Sequence, residues 1–216
     1  MDGDRTGLED PRALDILTTE HWSLLSTRSL GYQEMFGRAT IFIGVLSGSI
    51  VGLALLAQAT HFGRETLAFA LVLFSVSLFI GTATFVRSVA INYEDARWVA
   101  GMTLLRSAYL QMVPELKPFF VSPHEPSVEG RPMPYGSPQR FGDLARSLTT
   151  TSSVVATLNS ALAGALAMDI AALASVSLSR NIAAGAAISI VSGFLHVRYA
   201  ARYRKRHATS PARSSS

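Results

Sequence analysis

Asp169 is the residue whose position carries the clearest chemical meaning. It is the only charged side chain in an apolar block that runs from about residue 152 to residue 178. An ionisable group inside a membrane costs at least about 2.5 kcal/mol on insertion scales, and such groups often mark ion or proton pathways. The alternative is a structural role, in which Asp169 is protonated or hydrogen-bonded to a hydroxyl of the neighbouring helix, such as that of Ser189 or Ser192. Asp169 lies about ten residues, or roughly 15 Å, before the end of the block, which predicts a position near mid-membrane.

Two stripes of small residues have the spacing that membrane helices use for close packing. Each glycine weakens a helix in water by about 1 kcal/mol relative to alanine. In lipid, small residues four positions apart let two helix backbones approach closely. The stripes are Gly44, Gly48 and Gly52 in the first apolar segment and Gly185, Ser189 and Gly193 in the last. They predict helix-packing grooves, used either within the chain or between subunits, with incidental composition as the third interpretation.

Residue patterns typical of enzymes and metal sites are scarce in this sequence. It has no cysteine, no glycine-rich phosphate loop and no G-x-S-G stretch. Glu94 and Asp95 are the only adjacent acids at the end of an apolar segment, which falls short of a metal cluster. His61 and Glu65 have the i,i+4 spacing of metal ligands on a helix, but two ligands make a weak site. We therefore predict that the protein is not an enzyme and uses no metal or cofactor.

Four apolar segments match the length of membrane-spanning helices. Residues 39–60 carry no charge and as a helix reach roughly 33 Å, against about 30 Å of hydrocarbon. Residues 66–86 follow after the short link HFGRE, which forces an antiparallel hairpin. The blocks 152–178 and 181–197 form a second pair, but the last block is short, so a re-entrant hairpin is the alternative to a full span. The sequence predicts an all-α polytopic membrane protein with four transmembrane helices in two hairpins, plus cytoplasmic helices.

Basic residues are concentrated on one side of these segments. Of the 19 lysines and arginines, only Arg64 and Arg180 lie in the two short links, which leaves 17 elsewhere. Positive charge is retained on the cytoplasmic side, so both termini and the middle loop are predicted to be cytoplasmic in a bacterial inner membrane. The run RYAARYRKRH near the C-terminus is expected to meet anionic lipid headgroups. Nucleic acid is not an expected partner, because this run adjoins an apolar segment.

The chain divides into five segments by composition. They are a cytoplasmic leader helix at 1–38, a first transmembrane hairpin at 39–86, a cytoplasmic helix and proline-rich loop at 87–151, a second transmembrane hairpin at 152–197, and a basic, disordered cytoplasmic tail at 198–216. Gly31 is a candidate break in the leader helix. Trp98, Met102 and Tyr109 recur on one face of a helix that ends at Pro114, and this face is the expected cytoplasmic contact surface.

Two stretches resemble a group of uncharacterised bacterial integral membrane proteins that share a leader, a membrane hairpin and a following cytoplasmic helix. They are TTEHWSLLSTRSLGYQEMFGRATIFIGVLSGSIVGLALLAQAT and EDARWVAGMTLLRSAYLQMVPELKPFF, both within residues 18–120. The layout is also similar to two-span effector modules that are thought to permeabilise membranes. No activity and no site residue comes with the resemblance.

These observations predict a non-enzymatic integral membrane protein, held in the lipid bilayer, that self-associates or assembles with another membrane protein. Pore formation is the most specific version of this prediction. An ion- or proton-coupled transporter that uses Asp169 is the alternative. A membrane enzyme with an unrecognised site is the second alternative.

Overall fold

The computed structural model describes residues 7–121 and 150–208. These residues form four α-helices and one short 3-10 helix. In chain order they are α1 (Ala13–Ala59), α2 (Arg64–Met112), the 3-10 helix (Pro114–Phe119), α3 (Thr151–Leu173) and α4 (Leu178–Ala208). No strand occurs within the described ranges, so the predicted all-α class is confirmed. Each α-helix is long and apolar enough to cross a membrane.

The two long helices run through the boundaries expected from composition. With 47 and 49 residues, α1 and α2 rise by roughly 70 Å each, more than twice the hydrocarbon thickness. Residues 38 and 86 both lie inside helices. The predicted boundaries at 38/39 and 86/87 therefore do not coincide with helix ends. The candidate break at Gly31 is wrong, because α1 continues through this residue. Gly31 is buried, and its lack of a side chain makes room for the Trp98 ring, since a Cβ there would lie 2.9 Å from that ring.

The described residues form two compact units. In the first unit, residues 13–34 of α1 pack against residues 91–112 of α2. Trp98 lies against Gly31, and a Cβ at Gly101 would be 3.1 Å from Leu24. Met102, one of the residues on the predicted face, is buried. The face therefore contacts α1 of the same chain at Trp98.

The second unit contains residues 35–90 of α1 and α2 together with α3 and α4. Its hydrophobic core is a cluster contributed by α1, α2 and α3. The buried members are Ala39, Phe42, Phe85, Val89, Val155 and Leu162. Phe42 is fully buried, and Gly81 on α2 makes room for its ring, since a Cβ there would lie 2.6 Å from the Phe42 ring. Outside this core, many large apolar side chains of the unit are exposed, as expected for helices that face lipid.

Two short connections lie at the same end of the second unit, which we name the loop end. Residues 60–63 join α1 to α2, and residues 174–177 join α3 to α4. His61, Phe62 and Ser175 have φ values of 52°, 60° and 58°, in the left-handed region where L residues are uncommon. At the other end of α3, Thr150 caps the helix by accepting a hydrogen bond from the Ser153 N–H.

The basic segment near the C-terminus is helical up to residue 208, so the predicted disordered tail does not begin at residue 198. Rings at i,i+4 spacing support these turns: the centroids of Tyr199 and Tyr203 are 6.1 Å apart, and those of Tyr203 and His207 are 4.2 Å apart. Positive side chains near a helix C-terminus also interact favourably with the helix dipole. Residues 209–216, and most of the predicted proline-rich loop, lie outside the described residues.

The length of α4 bears on the re-entrant alternative. Its 31 residues rise by roughly 46 Å, and the 23 residues of α3 rise by roughly 34 Å. Both values exceed the roughly 30 Å hydrocarbon core. The helix reaches beyond the apolar block 181–197 because it includes flanking polar residues at both ends. These lengths fit a pair of full spans.

Candidate functional site

A cavity of about 430 Å³ lies at the loop end of the second unit, and we name it the loop-end cavity. It is lined by residues from all four α-helices and by Phe62 from the α1–α2 connection. Alanine, leucine, phenylalanine and methionine make up most of its wall. The polar exceptions are Thr66 on α2, Asp169 on α3 and Asn181 on α4. An apolar cavity with a few converging polar groups is the usual form of a small-molecule site.

Asp169 and Asn181 are both buried, each with 7% of its surface exposed. Asp169 Oδ2 and Asn181 Oδ1 have no hydrogen-bond partner among the described residues. The predicted hydrogen bonds from Ser189 or Ser192 to Asp169 are therefore wrong. Ser189 lies beside Gly164, and the Ser192 hydroxyl faces His196. The cavity wall thus holds two side-chain acceptors that the described chain leaves unsatisfied.

The distance of Asp169 from the end of its helix is shorter than expected. The helix ends at Leu173, four residues beyond Asp169, so Asp169 lies roughly 6 Å along the axis from the end of α3, against the roughly 15 Å expected from the apolar block. The apolar block continues to residue 178, but the chain leaves the helix at Ala174. The Ala174 backbone N–H still donates to the Ile170 carbonyl oxygen at 3.1 Å. Ser175, whose φ lies in the left-handed region, then reverses the direction of the chain. The sequence does not reveal this turn, because residues 174–177 (Ala-Ser-Val-Ser) include no charge, glycine or proline.

Thr66 supplies a third oxygen to the loop-end cavity. The Thr60 hydroxyl donates to the Leu56 carbonyl at 2.9 Å and also meets the Thr66 hydroxyl. Either hydroxyl can be the donor in that contact. A hydroxyl oxygen has two lone pairs, so the Thr66 oxygen keeps at least one of them to accept a further hydrogen bond.

A second polar group inside the second unit was not singled out by the sequence. Asn159 is fully buried, and its amide donates to the Thr82 hydroxyl at 3.0 Å. It also lies 3.5 Å from His196 Nε2, while His196 Nδ1 lies 2.7 Å from the Ser192 carbonyl. The Phe85 ring meets His196 edge to face at 4.5 Å. The available signal was a single asparagine inside an apolar helix, which usually forms interhelical hydrogen bonds.

The two small-residue stripes differ in what they contact. On α4, Gly185 and Ser189 face α3, since a Cβ at Gly164 would lie 2.7 Å from the Gly185 carbonyl oxygen. A Cβ at Gly193 would lie 3.6 Å from the Ser160 hydroxyl oxygen. At Gly44, Gly48 and Gly52, by contrast, an added Cβ would meet no described atom within 4 Å. The α4 stripe is thus a packing groove within the chain. For the α1 stripe, no described residue supplies the contact that the intramolecular interpretation requires.

An ion pair in the first unit joins residues 67 positions apart. Arg28 Nε donates to Asp95 Oδ1 at 2.6 Å, and the Tyr32 hydroxyl donates to Asp95 Oδ2 at 3.1 Å. The Arg28 guanidinium also lies 5.5 Å from the centre of the Tyr32 ring. Its hydrogen bond to Asp95 raises the pKa of Arg28. The sequence identified Asp95 only as part of an acidic pair, because no local pattern links it to Arg28.

His21 in the first unit is a packing residue. Its ring stacks on Tyr109 with centroids 5.9 Å apart, and its Nδ1 is buried without a hydrogen-bond partner among the described residues. Burial lowers the pKa of His21, and the charge of Arg106 lowers it further. An imidazole held uncharged in this way contributes ring contacts and no positive charge at neutral pH.

Comparisons with protein-family models, with curated proteins and with solved structures gave no match. Within the described residues, no group of three or more histidine or acidic side chains is arranged to hold a metal ion. The function is therefore inferred from the helix surfaces and the cavity.

Proposed function

We propose that this protein is a non-enzymatic multi-pass membrane protein that self-associates through α1. The contact is the glycine face, which consists of Gly44, Gly48 and Gly52. The observation that carries the proposal is the open space over these glycines, where no described atom lies within 4 Å of an added Cβ. A second copy of the chain is the occupant that this face fits.

The energetic reason is the cost of glycine in a helix. In water, three glycines would weaken a helix by about 1 kcal/mol each relative to alanine, and no described atom packs closely enough to require their small size. On the α3–α4 side, the same spacing brings helices so close that a Cβ at Gly185 would lie 3.0 Å from the Gly164 carbonyl. The chain therefore already uses small residues for close helix contact where it has a partner helix.

The surroundings of the glycine face suit a helix partner in lipid. Ile41, Val51 and Leu55 lie near the glycines on the helix surface and are 60–64% exposed. Helices in a bilayer associate through van der Waals contact because lipid gives them no hydrophobic driving force. The glycines form a shallow groove, and the aliphatic side chains beside them project from the helix. Two copies of this face can therefore fit against each other.

Gly48→Leu tests this proposal directly. We expect the variant to be monomeric in mild detergent, since a leucine side chain would fill the groove. Its monomer should unfold with an unchanged or slightly larger free energy, up to about 1 kcal/mol, because the helix penalty of glycine is removed without a clash inside the chain. Light scattering gives the mass, and thermal unfolding gives the stability.

Ala187→Leu is the matched control, because Ala187 is exposed on α4, away from the glycine face. It should leave the mass unchanged. An oligomer that persists in Gly48→Leu would show that α1 is not the contact, and a monomeric parent protein would overturn self-association itself.

We place the protein in a bacterial inner membrane with both termini and the middle loop in the cytoplasm. The uneven distribution of arginine supports this orientation, since only Arg64 and Arg180 lie in the short links. The resemblance to uncharacterised bacterial membrane proteins belongs to the same proposal. On α4, Lys205, Arg206 and His207 form the last turn, and we assign these residues to anionic lipid headgroups.

Reporter fusions test the orientation. A reporter after Arg146 and another after Ser216 should both read cytoplasmic, and one inserted at residues 174–177 should read the opposite side. The physical reason is that positively charged segments resist transfer across the membrane. Opposite readings for the first two fusions would mean that α3 and α4 do not both span.

A second candidate function is ion- or proton-coupled transport through Asp169. It is favoured by one observation, the buried carboxylate oxygen that has no partner among the described residues. Asp169 is the only acid among the buried described residues, so no relay of acids accompanies it. Ion flux measured in liposomes separates transport or pore formation from a purely structural assembly.

A further inference from the structure

We propose that the loop-end cavity binds a small organic cation, a primary ammonium with an aliphatic or aromatic substituent. The ammonium group would donate to Asp169, Asn181 and Thr66, and the substituent would lie against the apolar wall. This inference is independent of self-association through the glycine face, because the cavity residues are not part of that face.

The two orphan oxygens define the chemistry of the ligand. Asp169 Oδ2 and Asn181 Oδ1 are both acceptors, and both are buried without a partner in the described chain. A buried acceptor without a donor is destabilising, and a carboxylate also lacks a compensating charge. A group that carries several N–H donors and one positive charge satisfies both needs. An ammonium is the simplest such group.

Thr66 adds the third acceptor that an ammonium can use. An ammonium has three N–H donors and no acceptor. Whichever hydroxyl donates in the Thr60–Thr66 contact, the Thr66 oxygen keeps at least one lone pair to accept a hydrogen bond. The residues that line the cavity thus offer one carboxylate, one amide oxygen and one hydroxyl oxygen, which equal the three donors in number.

An inorganic divalent ion fits this wall poorly. Calcium takes six to eight oxygen ligands and magnesium about six, whereas the cavity offers three polar side chains. The rest of the wall is apolar and includes Leu53, Phe74 and Met168. The volume of about 430 Å³ lies within the usual range of small-molecule sites, roughly 300 to 1,000 Å³. An apolar substituent fills space that a bare ion would leave empty.

The test compares three probes with the same six-carbon chain and different head groups. Hexylammonium has the charge and the N–H donors, hexyltrimethylammonium has the charge alone, and hexanol has neither charge nor N–H. Each is titrated against the full-length protein in a nonionic detergent, and the melting temperature is followed. Hexylammonium should raise the melting temperature with increasing concentration, as expected for a ligand that binds the folded state. The other two probes should have little effect.

Three variants locate the binding. Asp169→Asn keeps the size of the side chain and should weaken hexylammonium binding by about tenfold or more, since a charge-assisted hydrogen bond becomes a neutral one. Asp15→Asn removes an exposed carboxylate that does not line the cavity, and it should bind like the parent. Ala165→Leu fills part of the cavity and leaves its three polar side chains in the sequence. It should also abolish binding, which keeps the test valid if Asp169→Asn does not fold.

Several results would overturn the proposal. Equal stabilisation by hexanol would make the cavity a site for apolar chains, and equal stabilisation by hexyltrimethylammonium would make N–H donors irrelevant. The same protection by sodium or potassium chloride, lost in Asp169→Asn, would assign the site to an inorganic cation. Hexylammonium binding that survives in both Asp169→Asn and Ala165→Leu would place the ligand elsewhere.

Discussion

Gly164→Leu should lower the free energy of unfolding by about 3 kcal/mol, the upper part of the range for overpacked interiors. A Cβ at Gly164 would lie 2.7 Å from the Gly185 carbonyl oxygen, and a backbone atom cannot rotate away as a side chain can. The helices α3 and α4 would have to separate. Their close contact, which replaces a hydrophobic driving force in lipid, would then be lost.

Two further substitutions make this result specific. Gly164→Ala adds only the Cβ, so its effect should be smaller but have the same sign. Ala161→Leu introduces the same side chain at an exposed position of α3 and should leave the stability nearly unchanged. Unfolding in mild detergent, followed by circular dichroism, measures all three. Equal stability of Gly164→Leu and Ala161→Leu would show that the α3–α4 contact is looser than described.

Asp95→Ala should destabilise the first unit by about 2 kcal/mol. Arg28 and Asp95 have side chains that are 30% and 18% exposed, so the pair is partly shielded from water. Removing the carboxylate takes away the acceptor of Arg28 and of the Tyr32 hydroxyl at once. Hydrogen bonds to charged groups contribute about 1.5 to 3 kcal/mol, whereas exposed ion pairs contribute much less. Hydrogen exchange of residues 13–34 and 91–112 should quicken.

A double-mutant cycle with Arg28→Ala isolates the pair. Its coupling energy should exceed about 1 kcal/mol, since the two residues are in direct contact. Asp10→Ala is the matched control, because Asp10 also pairs with an arginine, Arg12, but both side chains are well exposed. Because Asp10 Oδ1 also accepts a hydrogen bond from the Arg12 backbone N–H at 2.8 Å, the control is judged by its coupling energy with Arg12→Ala, which should be near zero. A cycle with no coupling, or a control with the same effect, would mean that the Arg28–Asp95 contact does not stabilise this unit.

The class of the fold and the number of long helices followed from the sequence alone. A bilayer forces every backbone polar group in a spanning segment to bond within that segment, so long uncharged runs must be helical. Residues 39–60 and 66–86 lie within α1 and α2, as expected. Helix ends were less predictable. The loop at 174–177 interrupts an apolar run, and α4 continues through a basic run that composition alone marks as a tail.

The sequence by itself determined that Asp169 is exceptional, because a charge in an apolar block is visible without coordinates. Only the tertiary structure placed it near the end of α3, in one cavity with Asn181 and Thr66, since those residues come from other helices. Likewise, two glycine stripes with the same spacing look identical in sequence. Tertiary packing decided that the stripe on α4 faces α3 and that Gly48 faces outward, because spacing fixes which residues share a helix face and only the neighbouring helices determine which face is covered.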